Sequence, residues 1–78
     1  MSDDPAALVL YTVYGSPRDY PGEFVVRRSV VAGGAVKIDP ELFARAPTLD
    51  AVRALLPPHL YPLPRQPGDD PVIVEVWL

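Results

Sequence analysis

The sequence predicts a small α+β domain: an antiparallel β-sheet of about four strands in the order βββαβ, with one short helix on one face. Three observations carry this. The stretches free of proline at residues 7–14, 23–32, 35–38 and 72–78 are rich in β-branched and aromatic residues, as strands are. Gly33-Gly34 divides two of them, a two-residue hairpin signal. One stretch, Leu49 to Leu56, carries apolar residues at helical spacing.

Eleven prolines punctuate the chain. Proline removes a ladder donor and clashes inside a helix, so regular structure belongs between them. The first strand, ALVLYTVY from Ala7 to Tyr14, is apolar on both faces and suits an inner position in the sheet. A loop from Gly15 to Gly22 follows, where Pro21-Gly22 fits the centre of a type II turn. The second strand runs from Glu23 to Ala32 and the third from Ala35 to Ile38. With Gly33 and Gly34 as the turn, Ala32 faces Ala35, Val31 faces Val36 and Ser29 faces Ile38. Val25, Arg27, Ser29, Val31, Val36 and Ile38 then share one face, and Phe24, Val26, Arg28, Val30 and Lys37 the other.

Asp39-Pro40-Glu41 reads as a one-turn helix start, with Asp39 as N-cap and Pro40 at the first helical position. Thr48 caps the main helix, in which Leu49, Val52 and Leu56 fall on one side and Asp50 suits the positive end of the helix dipole. Residues 57–71 hold six prolines and read as a stiff, extended crossover. The last strand, Val72 to Leu78, is expected beside the first. By alternation Val72, Val74 and Val76 make one face, and Ile73, Glu75 and Trp77 the other. All 78 residues form one domain, with residues 1–6 a flexible terminus.

Composition narrows the function. Hydrophobic residues make up 49% and charged residues 22%, a globular balance rather than a disordered one. There is no cysteine and one histidine, so no disulfide, thiolate nucleophile or standard zinc set can form, and no cofactor is expected. The start of the chain lacks a signal peptide's basic and apolar regions, and no apolar run reaches membrane-spanning length, so a cytoplasmic protein is expected. A net charge of −3 argues against a phosphate backbone as partner.

The individual motifs favour structural roles. Arg27 and Arg28 are adjacent in a strand and point to opposite faces, so they serve better as rim charges paired with Glu23 or Glu75 than as an anion clamp. His59 could act as a general base toward Ser16, Ser29 or Tyr61, but no nucleophile motif or oxyanion loop accompanies it. It reads as a loop histidine, and the chain as no enzyme. No phosphate-loop pattern follows Gly33-Gly34. The aromatic residues Tyr11, Tyr14, Tyr20, Phe24, Tyr61 and Trp77 have acids beside them, which favours core or interface use over base stacking. Pro64-Arg65-Gln66-Pro67 matches P-x-x-P, yet Asp69-Asp70 follow where a basic flank would help, so a rigid spacer is the better reading.

An area argument points to a partner. Four strands make a sheet of roughly 17 Å by 19 Å, and an eight-residue helix of about 12 Å by 10 Å covers part of one face. Leu60, Tyr61 and Leu63 from the crossover are expected to cover much of the remainder of that face. The other face keeps apolar surface, which marks a protein-binding or self-associating module, a homodimer among the possibilities. If the helix takes the all-valine face of the last strand, Ile73 and Trp77 lie on the uncovered side, with Arg27 as a rim charge; these three are the candidate interface. If the helix takes the Trp77 face, Trp77 is core. The alternative function is nucleic-acid binding through Arg18, Arg27, Arg28 and Lys37.

The strings Tyr11-Thr12-Val13-Tyr14, Pro17, Asp19-Tyr20-Pro21-Gly22 and Phe24-Val25-Val26-Arg27, with Gly68-Asp69-Asp70-Pro71 before an apolar end, resemble a group of short, uncharacterised bacterial proteins. The resemblance implies a stand-alone small protein and no site residue.

Overall fold

The computed structural model describes residues 7–65, 68 and 70–78. The expectation of a flexible segment at residues 1–6 lies outside the described residues, as do Gln66, Pro67 and Asp69 of the crossover.

The fold is a small α+β fold: a largely antiparallel six-stranded sheet with one short helix. The strands are β1 (Leu8–Gly15), β2 (Phe24–Ala32), β3 (Ala35–Ile38), β4 (Ala44–Ala46), β5 (Pro62–Leu63) and β6 (Ile73–Trp77); α1 (Leu49–Arg53) lies between β4 and β5. The sheet order is β3-β2-β1-β6-β5, and β4 pairs with the other half of β2. The strand count exceeds the expected four because two short segments find edges to pair with. β3 occupies β2 from Ser29 to Ala32, and β4 occupies it from Phe24 to Val26.

The β2–β3 hairpin has the expected register, Ala32 with Ala35 and Ser29 with Ile38. Gly33 and Gly34 have φ of 58° and 77°, the double positive-φ geometry of a two-residue turn matched to strand twist. β6 lies antiparallel to β1, as expected from the apolar character of β1.

The helix start expected at Asp39 is a turn instead. Asp39 Oδ1 accepts from the Glu41 backbone N–H at 3.1 Å. The Asp39 and Phe43 N–H groups donate to the carbonyls of Arg28 and Val26, each at 2.9 Å. An Asp-Pro pair serves an Asx-turn as well as a helix cap, and here the edge of β2 supplies the acceptors. Thr48 caps α1 as expected, its Oγ1 accepting from Ala51 N–H at 3.1 Å. The helix is shorter than its apolar pattern, since Leu55 and Leu56 tighten into i→i−3 bonds before Pro57.

The helix packs Val52 against Val13, Val26 and Ala46, with Tyr11, Phe24, Ala44, Leu49, Leu56, Val74 and Trp77 around them. By strand alternation this is the face that carries Val9, Tyr11 and Val13 on β1. It is also the face of Glu75 and Trp77. The helix therefore does not take an all-valine face of β6.

Candidate interaction surface

The side chains at the helix face of β6 explain its choice. Glu75 is buried there, and a buried carboxylate needs partners. Arg53, the last residue of α1, supplies a fork: Nε donates to Oε2 at 2.9 Å and Nη2 to Oε1 at 2.6 Å. Trp77 Nε1, two residues along on the same face, also donates to Oε2. The hydrogen bonds from Arg53 hold the Glu75 carboxyl below its usual range, against burial, which pushes it up. The trio is a structural clasp between helix and sheet. Among the described residues no buried side-chain nitrogen or oxygen lacks a hydrogen-bond partner, and no three acidic or histidine side chains are grouped to share a metal ion.

Among the described residues, the opposite face has no helix. Its rows follow from the register. Val36, Val31 and Leu8 lie across β3, β2 and β1; Ile38, Ser29 and Leu10 form the next row; Arg27, Thr12, Val76 and Leu63 make the third, running toward β5. Tyr61 and Leu78 exchange backbone hydrogen bonds of 2.8 and 3.0 Å, which extends the Leu63–Val76 pairing and puts Tyr61 on this face too. The exposure here is large: Leu8 45%, Val36 62%, Ile38 58%, Tyr61 75% and Leu63 43%. Of seven large hydrophobic residues exposed among the described residues, these are five; only Phe43 and Leu55 lie elsewhere.

One end of this face is closed by the chain itself. The loop from Ser16 to Gly22 is tied off by Ser16 N–H to the Glu23 carbonyl at 2.8 Å and by Gly22 N–H to Ser16 Oγ at 2.9 Å. Gly22 has φ of 78°, as the second central residue of a type II turn requires. Asp19 reaches Arg27 at 3.1 Å, Arg45 lies 5.1 Å over the Tyr20 ring, and Glu23 approaches Arg45 at 3.9 Å. Val25, between Arg45 and Tyr14 in the register, is fully buried beneath this end.

The candidate residues are thus separated. Trp77 is half-buried against the core on the helix face, so the condition for its exposure, a helix on the valine face, is reversed. A register shift between Val13 and Tyr14 pairs Ile73 with Tyr14 while Glu75 stays with Val13. Ile73 therefore leaves the Trp77 face and joins the helix-free one at its closed end. Arg27 is on the helix-free face too, paired with Asp19 rather than with Glu23 or Glu75. Of the four basic residues of the alternative reading, Arg28 and Lys37 belong to the helix face, Arg27 to the opposite one and Arg18 to the loop. They make no single cationic track. His59 is exposed, has φ of 68° in the turn after α1, and its side chain makes no hydrogen bond among the described residues.

Sequence reasoning put Val36 and Ile38 beside Val31 but did not name them as surface. It assigned Tyr61 and Leu63 to covering the helix face. Instead they lengthen the sheet at its edge and enlarge the open face. The cue was the pair of alternating apolar residues, Tyr61 and Leu63, around Pro62.

Among the described residues, no helix is long and apolar enough to cross a membrane. Comparison with protein-family models, with curated proteins and with solved structures finds no match for the chain.

Proposed function

We propose that this chain is a small protein-interaction module whose working surface is the helix-free face of the sheet. One observation carries the reading: among the described residues, five of the seven exposed large hydrophobic residues gather on that face. A sheet open to water ordinarily alternates apolar inside with polar outside. Here Leu8, Leu10, Val31, Val36, Ile38, Val76 and Leu63 make the outward side apolar over several strands. Contiguous apolar patches of several hundred Å² are kept on protein surfaces mainly where something binds.

Adjacent residues of β3 give a direct test, because Val36 and Lys37 are both exposed and point to opposite faces. A photo-crosslinking amino acid at position 36 should form protein adducts in cells, and the same group at position 37 should form few. Equal yields at the two positions, or none at position 36, would sink the reading.

A further inference from the structure

We infer that the occupant of the helix-free face is a second copy of this chain, packed sheet against sheet in a twofold dimer. This rests on the interaction-module reading above and commits it to one partner. The first argument is charge. A twofold axis sets each surface against itself, so a self-complementary surface must avoid unpaired like charges. Among the described residues, the rows from Val36 to Leu8 and from Ile38 to Leu10 contain no charged side chain. Arg27, in the row of Thr12 and Val76, and Arg45, at the closed end, are paired within their own chain, with Asp19 and with Glu23. A different protein is usually steered by complementary charge across the interface, and the two ion pairs on this face balance their own charges.

The second argument is area. β1 spans eight residues and five strands lie side by side, which gives a flat footprint of roughly 500 Å². The loop over Val25 removes about a quarter of it. Two such faces give a flat contact of roughly 750 Å² in total, the size of a weak, transient interface rather than a standard one. A weak dimer that forms only as concentration rises is the result this area allows.

The third argument is that the edges are poor alternatives. β5 has two residues, and Pro62 has no N–H to offer a new strand. On the far side β3 and β4 are short and divide the edge of β2 between them. Face-to-face packing is the assembly left open. Two sheets stacked about 10 Å apart, each with α1 on its outer side, would bury Leu8, Leu10, Val31, Val36, Ile38 and Tyr61 against their counterparts.

Analytical ultracentrifugation of the full chain over roughly 1 μM to 500 μM is the test. Wild type should shift from monomer to dimer with concentration. Ile38→Lys and Tyr61→Lys, each at an exposed position, should raise the dissociation constant at least tenfold with the far-UV circular dichroism retained. Leu55→Lys, an exposed apolar residue of the turn after α1, should leave it unchanged. Should a lysine variant fail to fold, amide shifts of wild type on dilution read the same contact. They should move along Leu8, Leu10, Val31 and Val36, and movement centred on α1 instead would overturn the inference. So would a wild-type monomer at every concentration, or a dimer indifferent to both lysines. A monomer in the centrifuge with strong adducts at position 36 would refute the self-association and leave the interaction module standing; loss of both would remove both.

Discussion

Replacing Arg53 by methionine tests whether the clasp between α1 and β6 is what fixes the helix to its face. The variant keeps an unbranched apolar stem and removes the fork that donates to Glu75 at 2.9 and 2.6 Å. Hydrogen bonds to charged groups contribute about 1.5–3 kcal/mol. The Arg53 side chain is 41% exposed, so solvent screening lowers the expected loss to about 1–2 kcal/mol at neutral pH. For a domain of this length that is a fall in Tm of roughly 5–15 °C. The pH dependence is the sharper measurement. The Glu75 carboxyl is held below its ordinary range chiefly by the hydrogen bonds from Arg53. A carboxyl depressed in the folded state contributes stability that is fully present above its unfolded value and is lost as pH falls through its folded value. Without Arg53, burial is opposed mainly by Trp77 and the folded value rises. Urea denaturation should therefore show the variant losing stability at a higher pH than wild type. The gap between the two should be widest near neutrality and should close once Glu75 is protonated in both. A gap that is the same at about pH 3 and about pH 7 would show that the loss does not come from the charged Glu75 carboxylate and would refute the reasoning.

Two further outcomes follow from the packing. Val52→Ala removes two methyl groups at the centre of the contact with Val13, Val26 and Ala46. Transfer and cavity terms together give about 2–3 kcal/mol, read as a drop in the denaturation midpoint with the slope unchanged. Trp77→Ala should lower the monomer's own stability by about 2–4 kcal/mol, since Trp77 packs on the core and donates to Glu75; a variant that melts like wild type and only changes its state of assembly would contradict that placement.

Much of the sheet was legible because its cues are local. Two glycines between β-branched runs admit one hairpin register, and that register carried Val36 and Ile38 to the same face as Val31. Thr48 marked the start of α1 because a side-chain acceptor is needed by the first free N–H groups of a helix. An apolar β1 announced its inner place beside β2 and β6. The short strands were not legible. β4 and β5 have three and two residues, too few to show a period, and they exist because an edge of β2 or β6 is there to receive them.

The open face itself was decided by tertiary structure. Sequence alternation alone put Ile73 with Trp77 and favoured the all-valine face of β6 for the helix, whereas the helix packs on the Trp77 face. The register shift at Val13 and Tyr14 moves Ile73 across the sheet, and no residue of β6 signals it. The helix settles on the face of Glu75, where Arg53, twenty-two residues earlier in the chain, meets a carboxylate that burial would otherwise penalise. Period and turn chemistry determine strands, because they act between neighbours. Which side of a sheet stays bare is set by the sum of contacts between distant elements, and that sum exists only in the folded chain.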